Sequence, residues 1–446
     1  MAVTDENKTL SLHKIFRTWW PLAASWLIMT GEIPALAAVV ARKAQPEVHL
    51  AAWGVVFPLA LILASPIMML LAASTTLSKD WASYTTLRRY MFVLAGALTI
   101  FHALMAFTPL FYVLVEDILA APAAIVEPVR LGLRIMLPWS FALAYRRFNY
   151  GVLIRFGHPG AVTVGSGVRL LCDALAGSVL YFMFDLPGIA VATGTIIAGV
   201  LGEALYARLR IAPVQREQVR PAPPVAEPVT LRMFALFYVP LVMTSLLQIL
   251  VQPIGTAALS RMPDPLTSLA VWPVVYGLLI FLMSTGIAFT EVVVIMLEEP
   301  RASGALQRFA TLLAVTLSGI LLLIAATPLA DVWFGRIVAL PADLVAMAHQ
   351  AVWFCLLVPG LAAFESFFNG ILLNRKRTRG ITEGVFLGLL TMTVVLVAGI
   401  AGGAMTGVNV AALALTVGAS TRVAWLWYRS RPARRAFRMQ DMQLAT

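Results

Sequence analysis

The chain has 446 residues, of which 60% are hydrophobic and 12% are charged, and its mean hydropathy is +0.86. A soluble globular domain carries about 25% charged residues, so this composition excludes a water-soluble globule and predicts an all-α, polytopic membrane protein. The net charge of +11 does not indicate a nucleic-acid partner, because membrane proteins collect Lys and Arg in their cytoplasmic loops.

The N-terminal segment, residues 1–17, is polar and has no apolar core followed by a cleavage site, so we do not expect a removable signal peptide. Twelve later segments are long and apolar enough to cross a bilayer. The first six lie near residues 18–41, 49–73, 90–114, 131–154, 161–184 and 187–208. The second six lie near residues 233–260, 266–296, 308–334, 347–374, 380–402 and 406–428.

The two sets of six segments repeat the same sequence pattern at one constant offset. This offset equals the separation along the chain between Pro21 and Pro240, and we call it the repeat offset. Positions matched at this offset include Pro21 with Pro240, Trp53 with Trp272, Pro122 with Pro341, Gly151 with Gly370, and Gly199 with Gly418. Prolines and glycines fix bends and close backbone approaches, so shared hydrophobicity does not explain these matches. The chain is predicted to be a tandem duplication.

Each repeat contains an even number of spans, so both copies insert in the same direction, related by a pseudo-twofold axis along the membrane normal. We expect an N-lobe at 18–212, an extended cytoplasmic linker at 213–232, a C-lobe at 233–430 and a basic tail at 431–446. Loops and tails on the side of the N-terminus hold 23 basic residues, against five on the other side. The positive-inside rule therefore places both termini in the cytoplasm.

Several charged residues fall inside the predicted spans, where they should face protein or a wet cavity. Asp173 follows Arg169 by four residues, which predicts an ion pair on one helix face. At the repeat offset, Arg146 corresponds to Glu365, and Glu203 corresponds to Arg422. Because changing one sign alone leaves a buried charge uncompensated, we predict the pairs Arg146 with Glu203 and Glu365 with Arg422. We expect a structural role for them.

Glu32 lies near the middle of the first span, between Gly31 and Pro34. Since proline leaves the carbonyl four residues earlier without its donor, the carboxylate beside this opening is a candidate site for a coupling proton or sodium ion. The alternative is a buried glutamate that is neutralised by a neighbouring arginine or hydroxyl group.

Once the predicted ion pairs are removed, the first lobe keeps more arginine than acid, and Arg147 is the candidate to bind an anionic substrate. The alternative is a helix-end arginine that extends to the membrane interface, which fits Arg147 less well. Asn149 and Gln252 are secondary candidates for lining the cavity, with interhelical hydrogen bonding as the alternative role. Neither of the two cysteines lies in a metal or disulfide motif. We predict no metal, no cofactor and a monomer.

The sequence resembles the multidrug/oligosaccharidyl-lipid/polysaccharide exporter superfamily, which includes the multidrug and toxin extrusion (MATE) transporters, and within it the progressive ankylosis (ANK) family. The segments that carry the resemblance are Trp20-Pro21-Leu22, Gly31-Glu32 with Ala35-Leu36, Trp53-Gly54 with Pro66, Ser78-Lys79-Asp80, and Gly151-Val152-Leu153-Ile154-Arg155. The resemblance implies a V-shaped pair of six-helix bundles with alternating access, and for ANK-like members export of organic or phosphorylated anions. The Gly-Glu pair of the family maps onto Gly31 and Glu32. The short basic C-terminus departs from the acidic tails of animal members, so their substrate does not transfer.

The leading hypothesis is a secondary exporter of small anions, coupled to protons or sodium or driven by the substrate gradient. The alternatives are a MATE-type antiporter of organic cations, a lipid-linked saccharide flippase and a non-transporting scaffold. The chain has no phosphate-binding loop of the Walker type and no pairing of a nucleophile with a base, so we do not expect an enzyme.

Overall fold

The computed structural model describes residues 10–225, 227–297, 299, 302–375, 377 and 379–443. These residues form helices and connecting turns, with no β-strand among them. Ten of the described helical segments are long and apolar enough to cross a membrane, and a bent pair, Ala342–Phe354 with Val358–Asn374, makes an eleventh. The all-α, membrane-spanning fold class is confirmed.

Within residues 10–225, the first repeat forms ten α-helices. They are α1 (Leu12–Thr30), α2 (Glu32–Ala41), α3 (Pro46–Ala64), α4 (Leu70–Leu77), α5 (Trp81–Phe107), α6 (Leu110–Tyr112), α7 (Ala123–Ile135), α8 (Trp139–Arg155), α9 (Gly160–Phe182) and α10 (Gly188–Val214). A 3-10 turn, Ser65–Met69, joins α3 to α4 and breaks the second span.

The described part of the second repeat forms nine α-helices in the same order. They are α11 (Leu231–Ile249), α12 (Val251–Leu259), α13 (Pro265–Ile287), α14 (Phe289–Met296), α15 (Ala302–Ala326), α16 (Ala342–Phe354), α17 (Val358–Asn374), α18 (Arg379–Gly402) and α19 (Gly407–Gln443). The bounds of α11, α16 and α17 match those of α1, α7 and α8 at both ends when the repeat offset is applied. The duplication is confirmed, and its two copies keep one register.

The predicted fourth span, 131–154, is not among the ten described helical segments that are long and apolar enough to cross a membrane. It is divided between α7 and α8, and it contains Arg134, Arg146 and Arg147. These arginines lower its hydropathy. Its repeat partner, the pair α16 and α17, bends by 42° at the corresponding break. The equal bounds of the two pairs are consistent with twelve spans.

Backbone conformations that recur at the repeat offset also support the duplication. Gln45 and Asp264 precede α3 and α13 with φ of 53° and 52°, and Ala120 and Ala339 have φ of 53° and 65°. The left-handed region is unfavourable for residues with a side chain. Its recurrence at both pairs of positions, which are matched at the repeat offset, indicates a shared local constraint.

The contacts divide the chain into two compact units that do not follow the repeat boundary. The N-unit comprises Val39–Arg261 with Pro265–Ala270. The described part of the C-unit comprises residues 10–38, 262–264 and 271–443. The C-unit thus includes α1, and the N-unit includes α11 and α12. The physical reason on the C-unit side is a set of buried α1 residues, Ile15, Trp19 and Ala23, which pack in one hydrophobic core with Phe289 and Phe309.

The first part of the predicted linker is not extended. A π-helical turn, Gln215–Val219, continues α10, and Val219 is fully buried. Gln215 Nε2 donates to the Tyr84 hydroxyl, and the Arg220 guanidinium lies 4.7 Å from the Trp81 ring centroid. The backbone N–H of Val225 donates to Asp80 Oδ2 at 3.1 Å. Buried apolar contact and hydrogen bonds thus hold residues 215–225 on the N-unit.

Candidate functional site

The second span of the N-unit breaks at the 3-10 turn Ser65–Met69, and Arg147 of α8 lies at this break. Arg147 Nη1 donates to the Met68 carbonyl oxygen at 3.2 Å. Its Nε is buried and has no hydrogen-bond acceptor, and no carboxylate pairs with it among the described residues. A partly buried guanidinium in this setting favours binding of an anion.

The helix α11 supplies two further polar side chains to the same break. The Tyr238 hydroxyl donates to the Pro66 carbonyl oxygen, and the Ser245 hydroxyl lies 3.5 Å from the Ser65 carbonyl oxygen. A helix break leaves carbonyl groups without their intrahelical donors, and these hydroxyl groups supply donors. The sequence reasoning missed Tyr238. The repeat could have indicated this residue, because Tyr238 is matched with the aromatic residue Trp19 at the repeat offset.

The C-unit contains the repeat-related counterpart of this contact. Trp19 Nε1 donates to the Thr285 carbonyl oxygen at 2.9 Å, and Thr285 is matched with Pro66 at the repeat offset. The first helix of each repeat therefore donates to the second span of the other repeat. The position that matches Arg147 is Ser366, which is buried, so the guanidinium belongs to the N-unit alone.

The structure brings together both pairs of residues in which the repeats exchange sign. Arg146 Nη1 contacts Glu203 Oε2, and the Glu203 side chain is 1% exposed. Arg422 Nη2 lies 2.6 Å from Glu365 Oε1. A buried carboxylate with a hydrogen-bonded guanidinium partner avoids the cost of an isolated charge.

Arg169 Nε lies 3.7 Å from Asp173 Oδ2 across one turn of α9. The Asp173 carboxylate rests against Gly199 of α10, where a Cβ atom would overlap both carboxylate oxygens. Only glycine leaves room for this carboxylate without displacing it.

Glu32 begins α2, directly after the break at Gly31, and its side chain is partly buried. The start of α2 lies near α13, where a Cβ on Gly277 would be 3.7 Å from the Pro34 Cα atom. In the second repeat, the same break occurs between α11 and α12, and Val251 occupies the position of Glu32. The carboxylate at a helix N-terminus is favoured by the helix dipole.

The two secondary candidates differ in exposure. Asn149 is 2% exposed, and its Nδ2 donates to the Tyr145 carbonyl oxygen at 2.9 Å, so it faces its own helix in this conformation. Gln252 is partly buried in the first turn of α12. Their contact with a substrate stays a prediction.

Comparison with solved structures identifies the fold. The lipid II flippase MurJ, in an inward closed conformation, matches with a TM-score of 0.70 and 12% identity over 96% of this chain and 91% of that chain. An inward-facing multidrug resistance MATE transporter matches with a TM-score of 0.66 and 14% identity over 92% and 96%. A eukaryotic MATE transporter matches with a TM-score of 0.65 and 14% identity over 97% and 99%.

The chain therefore has the fold of the MATE transporters and MurJ, as the resemblance in the sequence implied. No family model and no curated protein sequence matches it. The assignment to the progressive ankylosis family stays a prediction.

Proposed function

We propose that the chain is a secondary transporter that exports small organic or phosphorylated anions by alternating access. The observation that carries this proposal is Arg147, a partly buried arginine at a helix break whose Nη1 donates to a backbone carbonyl oxygen and which has no carboxylate partner among the described residues. Guanidinium groups bind carboxylates and phosphates through parallel hydrogen bonds. The fold supports transport as the class of activity.

The alternative is a proton- or sodium-coupled antiporter of organic cations, which needs exposed carboxylates in the second repeat. Glu365 there is paired with Arg422. Glu383 lies 3.1 Å from the Nε atoms of both Arg379 and Arg429. The pairing of Glu365 was expected, and the pairing of Glu383 engages a further carboxylate of the second repeat that a cationic substrate would need. Both pairings favour the anion.

Glu32 is the proposed coupling residue. Its helix restarts after Gly31, so protonation or sodium binding changes the charge at a point where the first span can bend. A bias of a few kcal/mol shifts a two-state equilibrium substantially. Both termini are proposed to be cytoplasmic, and the protein is proposed to act as a monomer in the plasma or inner membrane.

The test of the substrate class uses the full chain in liposomes, with citrate, a nucleotide, pyrophosphate and a cationic dye as candidate substrates. We expect uptake of at least one anion, with affinity lowered at least tenfold in Arg147→Ala. Arg147→Lys keeps the charge and loses the planar fork, so it should retain part of the affinity. Transport of the dye alone, unchanged in Arg147→Ala, would favour the cation antiporter. Absence of transport of every solute would favour a scaffold.

The test of coupling compares the pH and sodium dependence of transport in the wild type and in Glu32→Gln. The variant keeps the shape of the side chain and removes its charge, so we expect a folded protein whose transport no longer responds to pH or sodium. An unchanged profile would assign Glu32 a structural role.

A further inference from the structure

The end of α19 differs from the end of its counterpart in the first repeat. The helix α10 ends at Val214 and passes into a π-helical turn, whereas α19 continues as one α-helix to Gln443. Ala433 and Phe437 are 6% and 7% exposed and belong to the core of the C-unit together with Leu10 and Leu306. The start of the predicted basic tail is therefore a helix held against the C-unit by its apolar face.

The other face of this helix combines arginines with aromatic side chains. Arg431 and Arg435 are exposed, and Trp427 and Tyr428 are 41% and 54% exposed. The Arg431 guanidinium lies 3.8 Å from the Trp427 ring centroid and 5.6 Å from that of Tyr428. Stacking fixes the position of the cation and leaves its N–H groups free to bind in the plane of the guanidinium.

The neighbouring helix α18 marks where the hydrocarbon ends. Its exposed apolar side chains recur every three or four residues, as one lipid-facing stripe: Phe386, Leu390, Val394 and Val397. About one turn before this stripe, Glu383 of α18 contacts Arg429 of α19. The segment 427–435 therefore begins at the level where hydrocarbon gives way to headgroups, and tryptophan and tyrosine are enriched at that level.

The charge of this face is not balanced by the residues that the structure describes. Glu383 is already engaged by Arg379 and Arg429. Neither Arg431 nor Arg435 has a carboxylate partner in the described part of the chain. An exposed pair of guanidinium groups at headgroup level is complementary to a phosphate anion.

We propose that the exposed face of α19 from Trp427 to Arg435 binds anionic phospholipid headgroups of the adjacent leaflet. Arg431 and Arg435 contact the phosphate, and Trp427 and Tyr428 contact the glycerol and upper acyl region. Basic residues at an anionic surface strengthen binding by about fivefold each, equivalent to ~1 kcal/mol. This site is separate from Arg147 and does not depend on the proposed transport.

The test titrates the purified full chain in detergent with phosphatidylglycerol or phosphatidylcholine and counts bound lipids by native mass spectrometry. We expect the wild type to prefer phosphatidylglycerol, and the double variant R431Q/R435Q to bind it about 25-fold more weakly, the product of two fivefold losses. The matched control is Arg216→Gln, which removes the exposed arginine at the position in the first repeat that corresponds to Arg435. It should bind as the wild type does.

Equal affinity of the double variant and the wild type for phosphatidylglycerol would overturn the proposal, and so would equal binding of phosphatidylcholine by the wild type. Competition with inorganic phosphate distinguishes a lipid site from a site for free anions. Displacement of phosphatidylglycerol by millimolar phosphate would reject the lipid as the ligand. Both substituted side chains are exposed, so a melting temperature equal to that of the wild type in the absence of lipid confirms that the variant is folded.

Discussion

The buried ion pair between Arg146 and Glu203 links α8 to α10 in the N-unit. Glu203→Gln leaves the guanidinium without a counter-charge, and loss of one partner of a buried pair costs about 3–5 kcal/mol. We expect a clear fall in melting temperature for Glu203→Gln and a substantial recovery in the double variant Arg146→Gln with Glu203→Gln. Thermal unfolding of the three variants measures the coupling. A double variant that is as unstable as the sum of the single variants would show that the two residues do not compensate each other.

Asp80 is a residue of the loop before α5, and it holds both the helix and the linker. Its Oδ1 accepts the Ser83 N–H at 2.8 Å, and its Oδ2 accepts the Val225 N–H at 3.1 Å. Burial by itself would raise the pKa of Asp80, but the hydrogen bonds from Ser83 and Val225 outweigh it, so the pKa lies below its usual value.

A lowered pKa means that the stabilising effect of Asp80 is present above the ordinary aspartate value and is lost as pH falls through the folded-state pKa. Asp80→Ala removes a helix cap worth about 1 kcal/mol and should also speed hydrogen exchange at the Val225 amide at neutral pH. The difference in stability between the wild type and this variant should be constant from pH 7 to about 5 and shrink below about pH 4. A difference that changes between pH 7 and 6 would assign the effect to another group.

At the scale of elements, the breaks in the spans are held by side chains from another repeat. Tyr238 donates to the Pro66 carbonyl oxygen within the N-unit, and Trp19 donates to the Thr285 carbonyl oxygen within the C-unit. Tyr238→Phe removes one hydroxyl and leaves the ring in place. We expect a loss of about 1 kcal/mol in stability, measured by denaturant or thermal unfolding in detergent.

Trp19→Phe should cost more than Tyr238→Phe, because it also removes part of a ring that packs 5.6 Å, between ring centroids, from Phe309. The two contacts lie in different units, so the losses should add within about 0.5 kcal/mol. A loss in the double variant that is far from the sum would show that the two breaks are coupled.

The sequence predicted the elements well because the repeat fixed their order and register. Prolines and glycines that recur at a constant offset mark bends and close contacts: a Cβ on Gly151 would overlap Ser74, and one on Gly370 would lie 2.6 Å from Val293, which is the repeat partner of Ser74. The sign exchange between the repeats likewise indicated which buried charges are neighbours.

Other features of the site depend on backbone atoms and on packing between repeats, which no residue pattern encodes. Arg147 donates to the carbonyl oxygen of Met68. Any residue at that position supplies such an oxygen. The sequence predicts an extended linker, yet Val219 is buried and the Val225 N–H donates to Asp80. Local composition does not report such tertiary partners.

At the scale of the whole molecule, each contact-defined unit contains helices from both repeats. The N-unit includes α11 and α12, and the C-unit includes α1. A fragment that ends at residue 226 therefore lacks the helix that donates to the Pro66 carbonyl oxygen and supplies Tyr238, which is 5% exposed, to the N-unit. A fragment that begins at residue 227 lacks the buried side chains Ile15, Trp19 and Ala23 of α1.

We therefore expect the two fragments, 1–226 and 227–446, to be poorly stable when expressed separately. Each loses several buried apolar side chains, at about 2–3 kcal/mol apiece, and leaves a buried carbonyl oxygen without its donor, at about 1–3 kcal/mol. Co-expression from separate genes should restore a complex that co-purifies and melts cooperatively, because each unit then contains all of its helices. The measurement compares the melting curve of each fragment alone with that of the complex. A fragment 1–226 that purifies alone and melts in one cooperative transition near the temperature of the intact chain would show that α11 contributes little to the N-unit.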